Sequence, residues 1–260
     1  MVLKKLRKVA KWFYDRFYVK IFADYRTELC LAVGDCKTLL DVGCGAYSPI
    51  QNFSNQLHCE GVDGFLPSIE TSQAKGIHKK YHQMDLFDIG ERFLPNTYEC
   101  VLASDVIEHF EKEDGWKLLE HMEKIASKRV IIYTPNGFLP QGEYDNNAWQ
   151  VHKSGWEIEE MEKRGYRVLG IHGHKIFRGE YAKIKWKPWF FWQIISDVSQ
   201  LWTRSHTKNA FQILCVKDMP EISKDSKSNV EKSNDLDSGS EDLESDEDLA
   251  SVEPSVEPSS

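Results

Sequence analysis

The sequence of 260 residues lacks several features that would indicate a secreted or membrane-spanning protein. Its six cysteines form no C-x-x-C pair, and a chain of this length needs no disulfides to be stable. The N-terminal stretch has no uninterrupted apolar run and no small-residue cleavage site, so we expect no secretory signal. The apolar-rich stretch 189–202 is interrupted by polar residues and falls short of the roughly 20 residues that cross a bilayer. We therefore expect a cytoplasmic protein.

The acidic residues are concentrated at the C-terminus. Residues 221–260 hold 13 acids against 3 lysines, a net of −10, so the chain's net charge of −8 leaves residues 1–220 at +2. No aromatic residue follows Met219, and such a segment cannot bury enough apolar surface to order itself. We predict a disordered acidic tail over 219–260. The nearly neutral remainder lacks the positive field of typical nucleic-acid binders, so no nucleic-acid partner is expected.

Short apolar runs alternate with helical stretches over residues 37–218. They predict strands at Thr38–Val42, Leu57–Val62, Lys80–Met84, Glu99–Ala103, Arg129–Tyr133, Tyr166–Ile171 and Phe211–Val216. This alternation indicates a mostly parallel sheet covered by helices. Helix starts are predicted at Ser48 followed by Pro49, and at a capping box from Ser154 to Glu157.

The first predicted strand leads into a turn that contains Gly43 and Gly45, and Asp63 ends the next strand. Glycine lets a ligand approach the backbone closely, and a carboxylate at this place can accept both hydroxyls of a ribose. A dinucleotide fold would have a third glycine where Ser48 stands, and Asp41 would be unfavourable near a phosphate. The sequence therefore predicts a nucleoside ligand that carries an amine or a sulfonium.

These motifs, in this order, resemble those of the class I S-adenosylmethionine-dependent methyltransferases. The resemblance is carried by residues 41–45, Asp63, residues 84–86, the segment 102–110 and the turn 133–137. It implies an α/β fold, Rossmann-like and doubly wound, with a mostly parallel seven-stranded sheet and helices on both faces. It also implies S-adenosyl-L-methionine as the cofactor, bound by Asp41, Gly43, Gly45, Asp63, Asp85, Leu86 and Ser104.

The chain departs from the family at Tyr47, where many members have glycine, and in an insertion over 178–209 between the last two strands. Residues 142–156 resemble a group of uncharacterised microbial methyltransferases that accompany sugar and envelope biosynthesis. The Asp/Asn-Pro-Pro-Tyr/Phe motif of amino-methylating nucleic-acid enzymes and the Pro-Cys pair of pyrimidine methylation are both missing. We therefore expect O-methylation of a small-molecule, glycan or lipid-linked acceptor.

An unactivated hydroxyl needs a base, which contributes ~10²–10⁴-fold to the rate. His109 is the first candidate because it follows the fourth strand and histidine titrates near neutral pH. His152 and Tyr144, after the fifth strand, are further candidates. For all three residues a purely structural role stays open. The chain shows no His/Cys/Asp cluster with metal-ligand spacing, so no metal is predicted.

Residues 1–36 carry basic side chains and an apolar stripe, which predicts a basic amphipathic helical segment. It would either cover the cofactor or lie on an anionic membrane surface. Trp186–Trp192 forms a second basic and aromatic stretch, so peripheral contact with the inner membrane surface is an expectation. Two other functions stay open: a non-catalytic, cofactor-binding regulator, and an RNA or protein methyltransferase. The oligomeric state is left open.

Overall fold

The computed structural model describes residues 25–143 and 147–220, and within them seven strands form one sheet. The strands are β1 Thr38–Val42, β2 His58–Asp63, β3 Lys80–Gln83, β4 Tyr98–Ser104, β5 Ala126–Pro135, β6 Arg167–His174 and β7 Ala210–Asp218. Every strand predicted from the apolar runs is confirmed, with ends that differ by at most three residues.

The strand order is β3-β2-β1-β4-β5-β7-β6. The pairs among β1 to β5 are all parallel, whereas β7 runs antiparallel to both β5 and β6. The predicted doubly wound, mostly parallel sheet is therefore confirmed. The chain order reverses between β1 and β4, and ligands of such sheets bind at the carboxyl ends of the strands beside this reversal.

Helices cover both faces of the sheet. They are α1 Tyr25–Val33, α2 Leu66–Lys75, the single turn α3 Ile89–Arg92, α4 Lys112–Ile125, α5 Ile158–Lys163 and α6 Trp189–Thr203. Successive β1 residues point to opposite faces: Leu40 and Val42 join the core that α4 covers, and Leu39 joins the core that α1 covers. The strands of the sheet's centre are consequently buried on both sides.

Helix α1 belongs to the packed core, although it precedes residue 37, where the sequence placed the start of the domain. Its Leu29 is fully buried, and Tyr25 and Val33 are buried beside it against the sheet. The basic part of the predicted N-terminal segment, residues 1–24, lies outside the described residues, as does the predicted tail from residue 221.

The capping box predicted at Ser154 is wrong by three residues. Helix α5 begins at Ile158, and its capping box pairs Glu157 with Glu160. The Ser154 hydroxyl instead donates to the backbone oxygen of Ile107. Ser154 therefore fastens the loop before α5 to the turn after β4, and it cannot also begin the helix.

Helix α6 forms nearly half of the predicted insertion and packs closely on β6. A Cβ on Gly170 would lie 2.1 Å from the Thr203 carbonyl oxygen, and one on Gly173 would lie 2.0 Å from that of Ser196. Glycine at these two positions lets the helix backbone approach the strand. No helix in the described ranges combines the length and apolarity needed to cross a bilayer.

We expect Gly170→Ala to lower the free energy of unfolding by roughly 1–3 kcal/mol, because the added methyl group meets rigid backbone and overpacks the contact. Gly142→Ala is the matched control, since a Cβ at Gly142 has nothing within 4 Å. Denaturant unfolding measures both variants. Equal stability of the two would contradict the close packing of α6 on β6.

Candidate active site

The turn after β1 requires both of its glycines. Gly43 and Gly45 have φ angles of 69° and 57°, in the left-handed region that glycine adopts without strain. A Cβ on Gly43 would also lie 2.6 Å from a methyl carbon of Val106. The amides of Gly43 and Cys44 both donate to the Val62 carbonyl of β2, at 2.8 and 3.0 Å, and this fixes the turn against the neighbouring strand.

Asp63 ties this turn to the end of β2. Its carboxylate accepts one hydrogen bond from the Gly45 amide at 2.8 Å and another from the Phe65 amide at 2.8 Å. Burial is the main influence on its pKa and raises it, while the two amide donors act in the opposite direction. Each carboxylate oxygen keeps a second lone pair with which to accept a hydroxyl.

Asp41 stabilises the turn from the core side. It is fully buried in β1 and accepts hydrogen bonds from the Ser48 hydroxyl and from His78 Nε2, the latter at 2.8 Å. Ser48 in turn accepts a bond from the Ile50 amide, which confirms it as the predicted helix cap. The proposed contact of Asp41 with the cofactor's cationic part stays a prediction.

The other predicted cofactor residues follow the neighbouring strands at the same edge. Asp85 accepts a hydrogen bond from the Phe87 amide just after β3, and a Leu86 methyl carbon lies within 3.5 Å of the Cβ position of Gly43. Ser104, the last residue of β4, shares a 2.8 Å hydrogen bond with the Tyr25 hydroxyl. The seven predicted cofactor residues therefore sit on loops and strand ends along one edge of the sheet.

A cavity of about 380 Å³ opens beside these loops. It is lined by α1, by strands β5, β6 and β7, by the loops after β4 and β5, and by the start of the insertion. Its lining residues are Tyr25, Asp105, His109, Tyr133, Pro135, Leu139, Gln141, Gln150, His152, His172, Tyr181, Ala182, Phe211 and Gln212. Small-molecule sites commonly have volumes of about 300–1,000 Å³, so this cavity fits one small acceptor or one sugar unit.

One wall of the cavity is a network of hydrogen-bonded side chains. The Tyr133 hydroxyl donates to Gln212 Oε1 at 2.6 Å and lies 2.7 Å from His172 Nδ1. The Gln212 amide group donates to Asp105 Oδ1 at 2.9 Å. Tyr25 stacks on Tyr133, with ring centroids 3.7 Å apart. The network fixes the directions in which these side chains present polar atoms to an acceptor.

Backbone strain is concentrated around the same cavity. Five non-glycine residues of the described ranges have positive φ angles, and four of them line the cavity: Asp105, His172, Tyr181 and Ala182. Such conformations cost free energy and persist where the surrounding structure enforces them, which is common at functional sites. The strain at Asp105 turns its carboxyl group inward, where the Gln212 amide holds it.

Two predicted catalytic histidines meet at the rim of the cavity. The rings of His109 and His152 lie 4.9 Å apart, edge to face. Burial lowers the pKa of both imidazoles, that of His109 to about 4, so both are neutral near pH 7. His109 Nδ1 bonds the Val151 carbonyl at 3.3 Å, and His152 Nδ1 bonds the Leu139 carbonyl at 2.6 Å. Tyr144, the third candidate, lies outside the described residues.

Two acidic groups lie next to the histidines: Glu108 is buried, whereas Asp105 is exposed where it lines the cavity. Desolvation of its carboxyl group raises the pKa of Asp105 to about 7. Burial, and after it the neighbouring charge of Asp105, raises the pKa of Glu108 well above its usual range. Glu108 Oε2 accepts a hydrogen bond from the Thr134 hydroxyl at 3.0 Å, whereas Oε1 has no hydrogen-bond partner among the described residues.

Sequence reasoning missed several residues of this site. Tyr25, His172 and Gln212 lie on segments that carry no motif, and only the pairing of distant elements brings them together. Trp149 was also missed: a Cβ on Gly64 would lie 2.6 Å from its ring, so the loop after β5 reaches back to the loop that follows Asp63. The sequence offered one indication of this contact, a tryptophan within the loop, and its side chain is exposed in the structure.

The fold and the cofactor loops define a class of enzyme. A mixed seven-stranded sheet with a glycine turn and a carboxylate at its switch point is the arrangement of the class I S-adenosylmethionine-dependent methyltransferases. Residues 40–134 match the family described as "Methyltransferase domain". Residues 40–134 are therefore a methyltransferase domain with the class I fold, S-adenosyl-L-methionine is the cofactor, and the resemblance noted in the sequence is confirmed.

Solved structures with the same fold are distant in sequence. A SAM-dependent methyltransferase from Archaeoglobus fulgidus is 17% identical, with a TM-score of 0.48 over 79% of this chain and 99% of that one. A putative methyltransferase from Bacillus halodurans is 13% identical, with a TM-score of 0.50 over 75% and 99%. Geranyl diphosphate C-methyltransferase from Streptomyces coelicolor is 10% identical, with a TM-score of 0.50 over 75% and 76%. None of the curated proteins matches the sequence.

We expect Asp63→Ala to weaken binding of the cofactor product S-adenosylhomocysteine, since each lost charge-assisted hydrogen bond is worth roughly 1.5–3 kcal/mol. Titration calorimetry measures the affinity, and circular dichroism checks that the fold is retained. Asp88→Ala is the matched control, because Asp88 is an exposed acid on the same side of the sheet without a side-chain capping bond. An affinity unchanged in Asp63→Ala would remove Asp63 from the ribose role.

Proposed function

We propose that the protein transfers the methyl group of S-adenosylmethionine to a hydroxyl of a small-molecule, glycan or lipid-linked acceptor held in the cavity. The cavity at the loop after β4 carries this proposal: its volume of about 380 Å³ admits one small group. Its lining supplies tyrosine rings together with amide and imidazole groups, which suit the apolar faces and the hydroxyls of such an acceptor.

A neutral oxygen acceptor fits the charges of the site better than an amine. A protonated amine is held by ionised carboxylates, yet burial raises the pKa of both Asp105 and Glu108. Asp105 is the only acidic residue among the described residues that line the cavity. A hydroxyl can instead bond to Gln212 and Gln150 and lose its proton with the help of the histidines.

The methyl donor is already activated, so the protein's main tasks are to align the acceptor and to assist loss of its proton. Good alignment is worth effective molarities of about 10⁵ M or more. In the transfer, an acceptor oxygen lone pair forms the new C–O bond while the C–S bond breaks and the sulfonium becomes a neutral thioether. His109 is neutral and lies at the cavity rim, which supports a part for it in the proton step.

The experiment that tests the acceptor class is incubation of the protein with labelled cofactor and fractionated cell extract. We expect the label in a glycan, lipid or small-molecule fraction, as a methyl ether by mass spectrometry. Label in RNA or protein, or on nitrogen or carbon, would refute the proposal.

We expect His109→Ala to lower turnover by about 10²–10⁴-fold while S-adenosylhomocysteine binds normally, because His109 acts on the acceptor and not on the cofactor. His58→Ala is the matched control, since His58 is an exposed histidine at the opposite end of the sheet. With a His109 pKa of about 4, turnover should also show no inflection from this group between pH 5 and 7. Unchanged turnover in His109→Ala would exclude it from the reaction.

A lipid-linked acceptor is favoured by the outer face of α6. Trp189, Phe190 and Leu201 are 67%, 57% and 58% exposed, and Lys183, Lys185 and Lys187 precede the helix. Aromatic and basic side chains together are typical of surfaces that bind anionic lipid headgroups. The insertion that carries this face also supplies Tyr181 and Ala182 to the cavity, so a lipid-bound acceptor would be held close to it.

We expect the protein to sediment with anionic liposomes at low salt, and the double variant Trp189→Ser, Phe190→Ser to sediment several-fold less, because it removes exposed aromatic anchors. Leu94→Ser, at a 76% exposed site elsewhere on the surface, is the control. Absence of sedimentation for the unmodified protein, or equal sedimentation of all forms, would refute membrane contact.

A further inference from the structure

Glu108, His109 and His152 form a cluster of potential metal ligands at the cavity rim. One ligand atom from each of these residues lies within 4.8 Å of the others. Glu108 and His109 belong to the short turn after β4, and His152 comes from the loop after β5. The sequence predicts no metal site, because His152 is far along the chain from the adjacent Glu108 and His109 and the three show no recognisable ligand spacing.

Both imidazoles are oriented for metal binding. A backbone carbonyl only accepts hydrogen bonds, so the bonds to Val151 and Leu139 place the ring proton on Nδ1 of His109 and of His152. Each Nε2 then carries an unshared lone pair. A ligating histidine almost always donates its other ring N–H in this way, to a carbonyl, a carboxylate or water.

The buried carboxyl group of Glu108 is an independent indication. Its side chain is 1% exposed, and Oε2 accepts the Thr134 hydroxyl while Oε1 has no partner in the described parts of the chain. Buried polar atoms are nearly always paired, so an unpartnered oxygen at the cluster requires an explanation. A cation bound at Oε1, or a proton shared with the neighbouring Asp105 carboxyl group, supplies one.

Two further charged residues neighbour the cluster. The carboxyl group of Asp105 lies beside that of Glu108. Lys153 follows His152 in the chain, and its influence on His109 is minor.

We propose that Glu108, His109 and His152 bind one divalent transition-metal ion at the rim of the acceptor cavity. Two imidazole nitrogens with one carboxylate oxygen suit ions such as Mn²⁺, Fe²⁺, Co²⁺ or Zn²⁺, whereas Ca²⁺ and Mg²⁺ prefer oxygen ligands throughout. Three protein ligands leave coordination positions vacant, and both histidines line the cavity, so a vacant position faces the acceptor.

The ion would help to remove the acceptor's proton in the proposed O-methylation, and this role rests on the proposed function. An acceptor hydroxyl bound to the ion has a lowered pKa and loses its proton to solvent water. The oxygen lone pair then attacks the methyl group as the C–S bond breaks. His109 acts on the acceptor through the ion in this scheme, and its removal still lowers turnover.

The test uses the full chain, stripped of metal with a chelator and titrated with Co²⁺. We expect saturable binding of one equivalent with visible d–d absorption, and a matching one-site calorimetric titration with Mn²⁺. Glu108→Gln keeps the shape of the buried side chain, and His152→Ala removes the second imidazole; each should weaken binding at least about 10-fold. Thr134→Val, which removes the hydrogen bond that orients Glu108, should weaken it by about 10–100-fold.

His58→Ala is the matched control, because His58 also contacts a glutamate, Glu60, but is exposed and far from the cavity. It should bind Co²⁺ as the unmodified protein does. Absence of saturable binding in the unmodified protein, or undiminished binding in both Glu108→Gln and His152→Ala, would overturn the metal site. Circular dichroism of the stripped variants separates loss of ligands from loss of the fold.

Activity measurements separate this proposal from the proposed function. Full transfer to a hydroxyl by stripped protein that binds no Co²⁺ refutes the metal site and leaves the O-methylation proposal standing. Ligand-dependent Co²⁺ binding without methyl transfer to any hydroxyl acceptor supports the site and refutes the proposed function.

Discussion

The hydrogen bond from the Gly45 amide to the Asp63 carboxylate joins the two loops on which the cofactor site depends. The loops follow adjacent parallel strands, which end at the same edge of the sheet, and the bond fixes their separation. A positive φ at Gly45 aims its amide at Asp63, and the buried bond from His78 to Asp41 supports the turn from the core side. The glycine residues, the positive φ angle and the buried hydrogen bonds therefore all fix the conformation of the same short turn.

The sequence predicted the elements that local pattern determines. Apolar runs located every strand, and the glycines and Asp63 were found because close backbone approach and carboxylate chemistry restrict which residues can stand there. The capping box at Ser154 failed because its hydroxyl bonds to Ile107, a contact 47 residues away that no local pattern encodes. The same limit hid His172 and Gln212, which reach the cavity only through the antiparallel pairing of β6 with β7.

The two halves of the sheet carry different parts of the candidate active site. Strands β1 to β4 are parallel and carry the predicted cofactor residues, whereas β5 to β7 and the insertion supply most of the acceptor cavity. The match to the methyltransferase family ends at residue 134, at the end of β5. The part of the chain that would select the acceptor therefore lies mostly outside the residues that match the family. The family match consequently indicates the cofactor but not the acceptor.

Helix α1 and the loop after β5 connect the two halves. Tyr25 bonds to Ser104 on the cofactor side and stacks on Tyr133 in the acceptor wall, while Trp149 lies over the loop after Asp63. Loop residues 139–152 also supply His152 and the carbonyl that orients it. These side chains therefore connect the predicted cofactor loops to the cavity by direct contact.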